Sequence, residues 1–139
     1  MTERVEEALR FVSENHRAVL ITQRSDGSVQ SSPVTAGVDD DDDKIVISSR
    51  ETAYKVRNLR RRPTATLCAF TDRFFGRWLQ IDGRVDILAL PDAMEPLVDY
   101  YRRISGEHPD WDEYRRVMEQ EQRLPIRLSI DSVGPTKSG

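Results

Sequence analysis

Three observations predict a mostly β, antiparallel barrel with flanking helices. Strand patterns follow one another along the chain, with helical patterns set singly or as one pair between them. One strand pattern is long and carries an internal glycine, Gly83, at which it can bend. A doubly wound parallel sheet would need a helix after nearly every strand, which this order does not provide. The predicted order is helix, hairpin, strand, helix, two strands, helical pair and final strand. The 139 residues are read as one domain spanning 1–139, large enough for a core without disulfides or metals.

Thr2 to Asn15 reads as an amphipathic helix with Val5, Ala8, Leu9 and Val12 on one stripe and acids in its first turn, suited to lie over the sheet. Ala18 to Gln23 and Val29 to Val38 form a hairpin through Ser25-Asp26-Gly27-Ser28. Pro33 cannot donate to a ladder, so its strand is an edge there or is interrupted where something else approaches. Asp39 to Asp43 lacks the glycine and terminal glutamate of a calcium loop and reads as a solvated hairpin loop. The β-branched run from Ile45 leads into a helix with Ala53, Val56 and Leu59 at helical spacing. Ser48 and Glu51 predict a capping box there, and Pro63 ends the helix.

Thr64 to Thr71 reads as a strand containing Cys68. In the long strand Arg77 to Leu88, Trp78, Gln80 and Asp82 point one way and Leu79 and Ile81 the other, with a bulge at Gly83. Pro91 opens a helix carrying Ala93, Met94, Leu97, Val98 and Tyr101. Gly106 to Pro109 breaks it, and Trp111 to Gln122 is a further helix with Tyr114, Val117 and Met118. These aromatic and methionine stripes read as core. Leu124 to Val133 closes the sheet.

The chemistry-bearing residues cluster in the middle. Arg50, Lys55, Arg57, Arg60, Arg61 and Arg62 crowd one segment of a chain whose formal net charge is -3, so the basic density is local. On its own such a run reads as a solvated helix face. A helix start with Lys55 about one turn inside also suits an anion, particularly a phosphate. Cys68 has no partner for an internal disulfide and reads as a core residue, and His16 and His108 lack ligand-spaced partners, so no metal site is expected. No glycine-rich phosphate loop, Gly-x-Ser-x-Gly elbow or His-Glu-x-x-His helix is present, which leaves the chemistry to a bound organic cofactor. A nucleic-acid binder is disfavoured because the acidic chain shows no stacking platform or base-reading helix pair. No apolar run is long enough for a bilayer, and Glu3, Glu6 and Glu7 do not fit a secretory signal, so a cytoplasmic location and no membrane partner are expected.

Four pieces of the chain resemble the flavin and deazaflavin enzymes of the split β-barrel, the pyridoxamine 5'-phosphate oxidase-like fold. They are Ser32-Pro33-Val34; Ile47-Ser48-Ser49 with Lys55 to Arg61 and Pro63; Arg77-Trp78-Leu79 leading to Asp82-Gly83-Arg84; and Gly106-Glu107-His108 with Asp110-Trp111-Asp112 and Tyr114-Arg115. The resemblance is nearest to the actinobacterial branch that uses the deazaflavin coenzyme F420. It implies a homodimer with cofactor sites at the subunit interface. The ring would lie against the backbone of Ser32, Pro33, Val34, Ile47 and Ser48, the phosphate by Ser49, Lys55 and Asn58, and Trp78 would reach in from the partner subunit. The implied activity is that of an F420H2-dependent reductase, an oxidoreductase passing a hydride to a conjugated acceptor such as an activated double bond, a quinone or a tetrapyrrole. It names no catalytic residue. The alternatives are an FMN-binding flavoprotein of the same fold and a non-enzymatic flavin or haem binder. Pyridoxamine phosphate oxidation fits less well, because the chain ends without the Trp- and Arg-rich segment of those oxidases.

Overall fold

In the computed structural model, which describes residues 2–135, six strands close an antiparallel barrel and four helices pack around it. The chain runs α1 (Glu3–Glu14), β1 (Arg17–Gln23), β2 (Val29–Asp39), β3 (Lys44–Arg50), α2 (Tyr54–Arg61), β4 (Thr64–Phe70), β5 (Trp78–Ile87), α3 (Met94–Ser105), α4 (Trp111–Gln120) and β6 (Arg123–Gly134). The order around the barrel is β1-β2-β3-β6-β5-β4, with β4 returning to β1. β6 makes closure possible because it is long: Arg123 to Leu128 pair with β3, and Ile126 to Gly134 pair with β5.

Alternation fills the interior. Leu20, Ile45, Ile47, Leu67, Ile81, Ile126 and Leu128 are fully buried, each contributing roughly 1.5–3 kcal/mol by its removal from water. In β5, Leu79 and Ile81 point inward while Trp78 and Gln80 are exposed, as the alternation predicts. The expected bulge lies between Asp82 and Gly83. A Cβ at Gly83 would sit 2.2 Å from the Ser129 carbonyl oxygen, so the bend requires a residue without one. α1, capped by the Thr2 side chain accepting from the Val5 N–H, buries Ala8, Leu9, Phe11 and Val12 in the same core. A smaller cluster of Ala93, Leu97, Val98 and Tyr114 holds α3 to α4.

One local expectation is corrected. No capping box forms at Ser48 and Glu51: β3 continues through Arg50, pairing Ser48 with Pro125 and Ser49 with Leu124, and α2 starts after Ala53 with no side-chain cap. The Glu51 N–H, which the box would have capped, donates instead to the Gln122 carbonyl (2.9 Å). The acidic run forms the expected exposed hairpin loop, and its acids also find cationic partners. Arg103 of α3 donates to the Val38 carbonyl (2.7 Å) and reaches Asp39 and Asp41, while Arg127 pairs with Asp39 and Asp42. The acids therefore dock α3 onto the β2–β3 hairpin. Among the described residues, no helix is long and apolar enough to cross a membrane.

Candidate functional site

β2 pairs with β1 from Val29 to Thr35, but with β3 only from Ala36 to Asp39. Beyond the Ala36–Ile47 pair the two strands diverge. The Ala36 N–H donates to the His16 carbonyl (2.8 Å) on the β1 side, so by antiparallel alternation Ser31, Pro33 and Thr35 turn their backbone groups toward the gap. Pro33 therefore gives up no ladder bond, in keeping with the interruption read from the sequence.

The gap opens into a cleft of about 680 Å³ lined by Pro33, Val34, Thr35 and Ser48 from the strands, Lys55 from α2, and Tyr100 and Tyr101 from α3. Tyr114 and Met118 of α4, Glu121 of the following turn and Arg123 of β6 complete the lining. Tyr100 bridges roof and floor by donating its hydroxyl hydrogen to the Thr35 carbonyl (2.8 Å). Burial pushes the Tyr100 hydroxyl above its ordinary pKa, with the Ser48 N–H and the Arg123 charge acting the other way. Tyr114 donates to the Leu97 carbonyl (2.8 Å), and burial pushes its hydroxyl up to about 12.

Lys55 is half-buried and has no ion-pair partner among the described residues. Desolvation first, and then the Arg123 charge, hold its ammonium below the ordinary lysine value. Arg123 is held from behind: its Nε and Nη2 both donate to one Glu121 oxygen (3.1 and 3.0 Å), which also accepts from Arg50 (3.2 Å). A half-buried cation without a counter-ion, beside a second cation and exposed strand backbone, is an arrangement that accepts an anionic, planar ligand.

Of the residues singled out by resemblance, Pro33, Val34, Ser48 and Lys55 line this cleft. Ser32 lies on β2 beside them, Ile47 turns its side chain into the barrel core, and Ser49 is buried with its hydroxyl on the Arg50 carbonyl (3.2 Å). Asn58 is buried under α2, where its amide donates to the Thr22 hydroxyl (3.1 Å) and to the Gln30 side-chain Oε1 (3.0 Å). Trp78 stands elsewhere, 46% exposed, over a separate hollow with Gln80, Ser132 and Val133. The reading of the helical stripes as core is corrected in part: Leu97 and Val98 are core, but Tyr101, Tyr114 and Met118 also face the cleft. Tyr100, Glu121 and Arg123 carry no motif in the sequence.

The sequence profile of the pyridoxamine 5'-phosphate oxidase family matches residues 4–132. Similar solved structures include a conserved hypothetical protein of Mycobacterium tuberculosis, 22% identical over 100% of this chain and 92% of its own, with a TM-score of 0.75. An F420 reductase is 20% identical over 90% of this chain and 94% of its own, with a TM-score of 0.67. HutZ, a haem storage protein of Vibrio cholerae, is 14% identical over 96% of this chain and 94% of its own, also with a TM-score of 0.67. At these identities the likeness is one of fold.

Proposed function

Because the chain belongs to the pyridoxamine 5'-phosphate oxidase family, we propose that its cleft binds the deazaflavin coenzyme F420 and that the protein is an F420H2-dependent reductase of conjugated acceptors. The observation that carries this reading is the half-buried Lys55, without an ion-pair partner among the described residues, at the split between β2 and β3. The fit is chemical. A phosphate would give Lys55 a counter-ion, and the backbone of Pro33 and Ser48, which faces the split between β2 and β3, offers hydrogen-bonding edges to a heteroaromatic ring.

When bound, the reduced deazaflavin supplies a hydride to an electrophilic acceptor. The chain supplies everything around that transfer. Lys55 and the start of α2 hold the phosphate, with Ser49 and Asn58 fixing the strand and helix that carry it. The backbone from Ser32 to Val34 and at Ile47 and Ser48 positions the ring. Tyr101, Tyr114 and Met118 form an apolar wall that excludes water from one side of the acceptor, and the proton that completes the reduction comes from solvent at the open mouth. A second copy of the chain would complete the site by bringing its own Trp78 to the cleft, making the working unit a homodimer.

FMN is the second reading, because the same Lys55 and strand edge would serve its phosphate and ring. The haem reading finds no imidazole at the cleft, because neither His16 nor His108 lines it. Oxidation of F420H2, followed by absorbance in the presence of quinones, activated alkenes and a bilin, tests the proposed activity. Acceptor-dependent oxidation supports it, and none with any of the three acceptor classes rejects it.

A further inference from the structure

Two cations line the cleft, and only Lys55 is used for the phosphate in the reading above. Lys55 and Arg123 line it, and Arg50 joins them through Glu121, so three cations are offset by one carboxylate. Among the described residues, Arg123 has its Nη1 edge free of hydrogen bonds, while Nε and Nη2 are fixed on Glu121. The guanidinium is therefore oriented in advance, and its side chain is only 28% exposed. Its neighbours on the cleft wall, Tyr101, Tyr114 and Met118, are suited to the flat body of a conjugated molecule.

We propose that Arg123 is the specificity-determining residue for the acceptor, and that the acceptor is a conjugated molecule bearing a carboxylate, which lies against Tyr101, Tyr114 and Met118 with its acid on the free Nη1 edge. Glu121 acts as a positioning residue by holding the guanidinium in place. Arginine suits this task better than lysine because its planar fork matches a carboxylate and stays charged at all working pH values. The proposal rests on the reductase reading for the acceptor's conjugation, while the carboxylate preference can be tested without any cofactor.

The test is calorimetric titration of the protein with trans-cinnamate and with cinnamamide, which share a shape and differ in charge, for the wild type, Arg123→Gln and Arg123→Lys. The deazaflavin coenzyme is titrated into the same proteins, and circular dichroism checks the fold. The wild type should bind the acid at least tenfold more tightly than the amide. Arg123→Gln should erase that preference, Arg123→Lys should keep part of it, and the coenzyme Kd should change less than threefold. Equal binding of acid and amide by the wild type, or an unchanged preference in Arg123→Gln, overturns the proposal. So does a tenfold loss of coenzyme affinity in Arg123→Gln with the acid preference intact, which would make Arg123 a cofactor anchor. An Arg123-dependent acid preference in a protein that does not bind the coenzyme would uphold the carboxylate site and reject the reductase reading.

Discussion

The Tyr100 hydroxyl donates to the Thr35 carbonyl at 2.8 Å, tying α3 to the stretch of β2 that β3 has left. A strand edge that would otherwise be open is thereby partly satisfied by a helix, and the cleft gains a fixed roof. Tyr100→Phe removes this bond and leaves the ring in place. The variant should lose about 0.5–1.5 kcal/mol in urea denaturation, the usual net worth of one such bond.

The depressed pKa of Lys55 gives a second prediction. The folded protein binds fewer protons at this group than the unfolded chain between the depressed value and the ordinary 10.5, so this term makes stability rise with pH across that window. An anion bound beside Lys55 stabilises the ammonium and raises its pKa again. Phosphate-bearing ligands should therefore take up protons on binding near the lower end of that window. Calorimetry in buffers of different ionisation enthalpy reads this directly, and Lys55→Ala should abolish it.

Tyr114 carries the opposite dependence. Its folded pKa of about 12 lies above the ordinary tyrosine value of 10.0, so its contribution is intact below 10 and is lost as pH rises toward 12. Denaturation midpoints measured across that range should fall in the wild type, and less steeply in Tyr114→Phe.

Asn58 joins α2 to β1 and β2 through Thr22 and Gln30. Asn58→Ala leaves the buried Thr22 hydroxyl without this partner and should destabilise the protein by about 2–3 kcal/mol, measured by chemical denaturation.

At Gly83, alanine would place a Cβ against the Ser129 carbonyl oxygen and the Leu128 side chain. A loss of about 3 kcal/mol or more, or failure to accumulate folded protein, is expected from such overpacking against backbone. An unperturbed melting curve would show that the β5 bend does not depend on this contact.

The barrel was legible because its signals are local and periodic: alternation in Trp78 to Asp82, the missing donor of Pro33 and the bend at Gly83 each have one physical reading. The capping box was misleading because Ser48 and Ser49 had a stronger option, pairing with Pro125 and Leu124 of β6 far along the chain, which no local pattern discloses. Lys55 could be picked out as a cation at a helix start. Arg123 and Glu121 could not, since charges beside a turn look like any solvated pair until α4 and β6 bring them to the cleft. Tyr101, Tyr114 and Met118 have the helical spacing of core residues and partly are core. Their second face is exposed only because the strands beneath them part.

The most direct test of the central claim is a fluorescence-quenching titration with oxidised F420 and, separately, FMN, on the wild type and on Lys55→Ala. Trp111 reports on the cleft because its ring packs against Tyr101 and Tyr114 (centroids 5.8 and 5.5 Å), which line it. The account predicts saturable F420 binding, tighter than that of FMN and weakened at least tenfold by the substitution. Tighter binding of FMN would make this a flavoprotein, and absence of binding by both ligands would contradict the cofactor site altogether.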